Sequence, residues 1–239
     1  MGYSRYYNNR HNDSDEHCNL MIQQYKKILI QYLSAVPLSA KIMEIGSGMG
    51  FAMLALKELG YKNIVGVDLD EPQTLKAKKR GLDVFNVSAE SYFKNAKEKF
   101  DVVLMFDVLE HIKKKDIIPL LSNIYSNLNS DGKLIVQTPN CYSLAGSAYR
   151  HGDFTHEISF SPYSLDFVLF NADFRNIKVS EVGSVPKLSC KKLVLHPKSF
   201  LKGLLKVFLR RLYKLMLSQE VGRLDGVPLS ANIVAVAIK

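Results

Sequence analysis

The sequence predicts an α/β fold, a doubly wound and mostly parallel sheet within one domain. Strand-like and helix-like stretches alternate along the chain with no internal repeat. Residues 100–109 are nearly unbroken apolar residues, as a strand covered on both faces requires. The first strand-like stretch runs into glycines at 46, 48 and 50 and then into a helical pattern, the kind of turn beside which such sheets hold ligands. A length of 239 residues suits one large domain, and 47% hydrophobic with 23% charged residues excludes a disordered chain and a disulfide scaffold.

Each element follows in order. Residues 1–15 are polar and read as an arm. Residues 16–35 place Leu20, Ile22, Tyr25, Ile28, Leu29 and Leu33 near helical spacing, and Pro37 closes that helix. The core is expected over 37–186. Its strands are 41–45, 63–69, 83–87, 100–109, 133–138 and 176–182. Its helices are 51–59, stopped by Gly60; 71–80, with Pro72 in the first turn; 113–128, ended by a turn at 129–132; and 161–174, capped by Ser161. Residues 187–223 form a basic helical insertion, and 224–239 contain the last strand, 230–238.

No run of eighteen apolar residues exists, so no membrane-spanning helix is expected, and the N-terminus lacks the apolar stretch of a secretory signal. Cys18, Cys141 and Cys190 cannot all pair, and none sit at metal-ligand spacing, which suits a reduced, cytoplasmic setting. The net charge of +9 is confined: residues 187–223 hold ten Lys/Arg and one acid, while the remainder balances.

The first strand ends in Glu44-Ile45-Gly46-Ser47-Gly48-Met49-Gly50. Glycines let the backbone approach a ligand, and the next helix N-terminus offers N–H groups. The spacing is not G-x-G-x-x-G, because Phe51 holds the last position, and a phosphate loop would need Gly-Lys-Ser/Thr. Twenty residues after Gly48 the second strand ends in Asp68-Leu69-Asp70, where an acid can accept both ribose hydroxyls. Ser88-Ala89-Glu90 follow the third strand, and Asp107-Val108-Leu109-Glu110-His111-Ile112 end the fourth.

In order and spacing these motifs, from Ile42 to Ile112, resemble the class I S-adenosylmethionine-dependent methyltransferases. The resemblance implies strand order 3-2-1-4-5-7-6 with the last strand antiparallel. It implies a cofactor site of Glu44, Gly46, Ser47, Gly48, Asp68, Leu69, Ser88, Ala89, Phe106 and Asp107, with S-adenosyl-L-methionine as cofactor. Many members carry Asp or Asn where this chain has Ser88, which leaves backbone N–H groups as the adenine donors there. The N/D-P-P-Y/F of amino-methylating nucleic-acid enzymes is absent after the fourth strand, and a catechol-type enzyme would need acidic metal ligands spread over the later loops. Glu110 and His111 find no convincing third partner in the sequence, so no metal is expected and the pair reads as a cap for the next helix.

The segment 149–160, YRHGDFTHEISF, follows the fifth strand, where this fold admits the acceptor. Similar D-F-T-H-E…F-x-x-x-S-L segments occur in methyltransferases of bacterial surface-glycan (capsule or lipopolysaccharide) synthesis. An alcohol needs a base to take its proton, and histidine suits that role near neutrality. His156 is the expected base, oriented by Asp153 or Glu157, with His151 in reserve and Asp107 and His111 as further catalytic candidates. The expected activity is O-methylation of a small or carrier-linked, phosphate-bearing acceptor, such as a nucleotide-linked sugar, a phosphoramidate or a glycan end. Methylation of a quinone precursor and a non-catalytic subunit of this fold are the alternatives.

Lys202, Lys206, Arg210 and Lys214 recur every four residues, opposite Leu201, Leu204, Leu205, Phe208, Leu212, Leu215 and Met216. A helix packed on the sheet by its apolar side, with a solvated basic face, competes with an anionic-substrate or peripheral membrane contact and with a homodimer through 200–217. Nucleic acid is disfavoured, because no aromatic residues interleave with the charges.

Overall fold

The computed structural model describes residues 14–96, 99–182, 197–222 and 224–239; the polar arm before Ser14, with His11, and the cluster Lys187, Cys190, Lys191 and Lys192 lie outside the described residues. The strands are β1 (Lys41–Ile45), β2 (Asn63–Val67), β3 (Val84–Phe85), β4 (Phe100–Phe106), β5 (Leu128–Pro139), β6 (Arg175–Glu181) and β7 (Asn232–Ile238). They form one sheet in the order β3-β2-β1-β4-β5-β7-β6, parallel except that β7 runs antiparallel to both β5 and β6. The expected order holds.

The helices are α1 (Asp15–Leu33), α2 (Phe51–Glu58), α3 (Glu71–Lys79), α4 (Ala89–Asn95), α5 (Lys114–Asn127), α6 (Gly146–Gly152), α7 (Pro162–Asn171) and α8 (Pro197–Val221). Successive strand residues point to opposite faces, so each central strand feeds two cores. Met43, Val103 and Met105 join Ile117, Leu121, Leu165 and Leu169 on one side. Ile42, Val102 and Leu104 join Leu29, Leu33, Ala52 and Leu56 on the other. Helix α1 is therefore part of the body and not an appendage.

Several bounds differ from expectation. The turn at 129–132 is absorbed into β5: Phe100 pairs with Leu128, the register shifts, and Val102 pairs with Lys133. Asp131 takes a left-handed φ of 61° there, which is how the irregularity is accommodated. β3 keeps only two residues. Two short helices, α4 and α6, were not expected; α4 starts where Ser88 caps the Ser91 N–H at 3.1 Å. The cap expected at Ser161 is present as a full capping box with Ser164.

Candidate active site

The carboxyl ends of β1, β2 and β4 meet in a cleft. Gly46 and Ser47 both donate their N–H to the Val67 carbonyl, at 2.8 and 3.1 Å, and Gly50 donates to Ser47 O at 2.8 Å. Gly48 N–H donates to Asp68 Oδ2 at 2.7 Å. The turn thus spends these N–H groups inside the protein, and it is not the open N–H cradle expected from the glycines. Gly46 has φ +72°, and a Cβ there would lie 2.2 Å from Val108 Cγ2, so its glycine is required by the chain's own packing.

Asp68 also accepts from the Asp70 N–H at 2.8 Å. Each carboxylate oxygen keeps a second acceptor site, so Asp68 can brace the turn and still take ribose hydroxyls. Burial raises its pKa, and the N–H bonds from Asp70 and Gly48 oppose that rise.

Two cavities adjoin over this turn. One, of about 300 Å³, is walled by Asp68, Leu69, Gln73, Ser88, Ala89 and Ile112. The other, of about 220 Å³, is walled by Glu44, Ser47, Gly48, Tyr25, Tyr149 and His156. Gly46, Phe106, Asp107, His111 and Asp153 border both. A larger hollow of about 860 Å³ is bordered by Lys41, Asn63 and Phe100 at the amino ends of their strands, and it touches the 300 Å³ cavity through Val87.

The unsatisfied polar atoms test whether an adenosyl cofactor fits. Glu44 is buried and its Oε2 has no partner, as has the buried Ser47 Oγ. Burial, then the charge of Asp68, raises the Glu44 pKa well above the carboxylate range, against a bond from the Met53 N–H. A buried carboxyl facing a cavity in this state fits a cationic amino group. In the larger cavity Gln73 Oε1 is likewise unpartnered, beside apolar walls suited to a base. The Ser88 hydroxyl accepts the Ser91 N–H as the α4 cap. All the expected cofactor residues come together at these two cavities.

The catalytic candidates also converge. Glu110, His111 and His156 place one ligand-type atom each within 4.8 Å of one another. The structure thus supplies the third partner that the sequence did not reveal. Nor do Glu110 and His111 cap the following helix: Lys113 is the N-cap of α5, and no side chain bonds to that end. Asp153, not Glu157, faces His156, with its Oδ2 3.6 Å from His156 Nε2. Thr155 donates its hydroxyl to Asp153 Oδ1 at 2.6 Å, so its Oγ1, 3.0 Å from His111 Nδ1, acts there as an acceptor. The Thr155 carbonyl accepts at 3.3 Å. His111 therefore carries its proton on Nδ1, and its Nε2 holds the lone pair. Burial first, then the charge of His156, lowers the His111 pKa.

Asp107 stands at the end of β4 with φ 54°, a left-handed conformation rare outside glycine. Gln137 Nε2 donates to both of its oxygens, at 3.1 and 3.0 Å. The side chain opens onto the cleft, yet the protein packed around it raises its carboxyl to about 6, against the opposing hydrogen bonds from Gln137. Glu110 is buried, receives the Thr138 hydroxyl at 3.1 Å, and is raised well above its usual range by burial and then by the charge of Asp107.

Sequence reasoning missed Met21, Tyr25 and Tyr149. Helix α1 carries Met21 and Tyr25 over the smaller cavity, where Tyr25 stacks on Phe106 at 5.6 Å. Tyr25 lay on the apolar stripe of that helix, but the stripe alone does not say what it covers. His151 is exposed and borders neither cavity. His17 packs its ring against Phe51 at 6.0 Å.

A fold with this strand order and an acid-and-glycine cleft defines a class, and comparison with known proteins gives the family. The chain belongs to the family described as the methyltransferase domain, whose model matches residues 17–179. It is 31% identical over 99 residues to a ribosomal protein L11 methyltransferase of Staphylococcus haemolyticus, covering 39% of this chain and 30% of that protein. The match to one from Lactobacillus johnsonii is 23% over 112 residues, 45% and 34%. The chain thus spans about a third of the length of the curated relatives it matches.

Among solved structures it resembles a SAM-dependent methyltransferase from Archaeoglobus fulgidus, with TM-score 0.67, 20% identity, and 99% and 100% of the two chains covered. It also resembles the magnesium protoporphyrin IX methyltransferase of Synechocystis with bound S-adenosylhomocysteine, with TM-score 0.60, 11% identity, and 99% and 93% covered. A third likeness is to the plantazolicin methyltransferase BamL, with TM-score 0.60, 16% identity, and 99% and 89% covered.

Proposed function

We propose that this chain is an S-adenosylmethionine-dependent O-methyltransferase whose acceptor hydroxyl enters the smaller cavity. The observation that carries this reading is His156 in the wall of the smaller cavity, backed by Asp153 and set edge to face against His111, both of which border the two cavities. When bound, the cofactor supplies a methyl group activated by its sulfonium.

This chain's residues then have four tasks. Asp68 and the apolar walls around Leu69 and Ala89 hold the adenosyl end. Glu44 takes the amino group. Met21 and Tyr25 of α1 and Tyr149 of α6 restrict the mouth and exclude water. His156 takes the acceptor proton on its ring, and the Asp153 carboxylate stabilises the imidazolium that results. His111, lowered by burial, stays neutral and leaves the second charge out of the pair.

The acceptor class that best suits these residues is a sugar hydroxyl on a nucleotide or other phosphate-bearing carrier. It is supported by the resemblance of 153–165, D-F-T-H-E…F-x-x-x-S-L, to surface-glycan methyltransferases. The test is a mass-spectrometric screen of nucleotide-linked sugars, glycan ends and quinone precursors for gain of one methyl. Methylated nucleotide-linked sugar is the expected result. Methylation of quinone precursors alone would replace the acceptor, and failure to bind S-adenosylhomocysteine by calorimetry would overturn the cofactor reading.

A further inference from the structure

Helix α8 sits the opposite way round from the packing expected for an amphipathic helix on a sheet. At about 100° per residue, Leu201, Leu204, Leu205, Phe208, Leu212 and Leu215 share one arc. All are exposed, from 43% at Leu212 to 65% at Leu201, with Phe208 at 60%. The side turned to the body is instead polar in part: Arg210 pairs with Glu181, which also accepts the Leu229 N–H at 2.8 Å, and Lys214 Nζ lies 3.5 Å from Asp225 Oδ1. Two of the four stripe cations are thus used to hold the helix, and the apolar arc is left in water. Lys198 and Lys202 flank the arc on one side and Arg211 on the other, all exposed.

We propose that α8 lies in the surface of an anionic lipid bilayer, its leucine arc among the acyl chains and its flanking cations at the headgroups. An apolar arc edged by long cationic side chains is the arrangement that an interface satisfies on both counts, since the stems follow the apolar surface while the charges reach the phosphates. A second copy of the chain would cover the leucines but would bring together two segments with six Lys/Arg and one acid each. A dissolved polyanion would meet the cations and leave the leucines in water. No helix among the described residues is long and apolar enough to cross a membrane, so α8 lies on the surface and does not span it. This inference is independent of the acceptor and of the base.

The test is flotation of the full chain with vesicles of phosphatidylcholine alone and of phosphatidylcholine mixed with phosphatidylglycerol, read beside light scattering. Wild type should float with the mixed vesicles, should float poorly with the neutral ones, and should be released as salt is raised. Replacing Lys198, Lys202 and Arg211 by Gln should lower partitioning about a hundredfold, at roughly fivefold per charge. Phe208→Glu should abolish flotation, and both variants change exposed positions, so their melting curves should match wild type. Absence of wild-type flotation with the mixed vesicles overturns the proposal. So does equal, salt-independent flotation with neutral vesicles. A dimer that Phe208→Glu splits, with vesicles ignored, assigns the arc to a second copy.

Discussion

The rings of His111 and His156 stand edge to face with their centroids 4.7 Å apart, brought together from the end of β4 and from the loop after α6. Two imidazolium ions at that distance repel, and the charge of His156 lowers the His111 pKa after burial has done so. The pair is built to carry one added proton, and Asp153 stands beside His156 to balance it.

His156→Ala should therefore lower kcat by about 10²–10⁴-fold if proton removal is part of the transition state. Affinity for S-adenosylhomocysteine, measured by calorimetry, should barely change, because Asp68 and Glu44 lie on other elements. His156→Gln should be nearly as slow. Near-normal turnover of the glutamine variant, with an intact melting curve, would make His156 a structural bridge.

Asp68→Ala should weaken cofactor binding by about 1.5–3 kcal/mol, the usual cost of losing hydrogen bonds to a charged group. It should also loosen the glycine turn, since Asp68 holds the N–H groups of Gly48 and Asp70. Hydrogen exchange at Gly48 should rise in the variant even without cofactor; unchanged exchange would limit Asp68 to ligand binding.

Gly46→Ala should destabilise the fold by about 1–3 kcal/mol, the range for overpacking, with added strain from its positive φ. The new methyl would meet Val108 Cγ2. Adding Val108→Ala removes that atom, so the double variant should recover part of the loss in a denaturant titration. Strictly additive losses would place the cost in the backbone alone.

The raised pKa of Glu110 gives a sign to the pH dependence of stability. The folded chain binds this proton more tightly than the unfolded chain does. Stability should therefore fall as pH rises from the unfolded carboxyl value toward the folded one, and level off above it. Glu110→Gln cannot ionise and can still accept the Thr138 hydroxyl. Its melting temperature should fall less than that of wild type between about pH 5 and about pH 8. Equal falls would move the effect to Glu44 or Asp107, whose carboxyls are also raised.

Much of the architecture was legible because it is local. β4 announces itself by unbroken apolar residues, and Ser161 with Pro162 marks the start of α7. The cofactor cleft was legible because glycine spacing and Asp68 are fixed by the turn itself. What was hidden depends on distant contacts. Thr155 selects the His111 tautomer from another element, and Tyr25 becomes a cavity wall only once α1 packs over Phe106. Periodicity showed that α8 is amphipathic, but Glu181 and Asp225 decide which side faces the body, and neither lies on that helix. The short helices α4 and α6 escaped for a different reason: seven residues each carry too little period to be read.

The segment that bears His156 is tied down largely through main-chain atoms. The Glu110 carbonyl accepts from the N–H groups of Glu157 and Ile158, at 2.8 and 3.2 Å, and Arg150 donates to the carbonyls of His156 and Glu157. Such ties are blind to the identity of the side chains they secure. Phe154, 95% exposed at the crest of the segment, can be varied while the scaffold and the cofactor cleft stay as they are. The protein is in this sense divided for evolvability: variants at Phe154 should keep the wild-type melting curve and the wild-type affinity for S-adenosylhomocysteine.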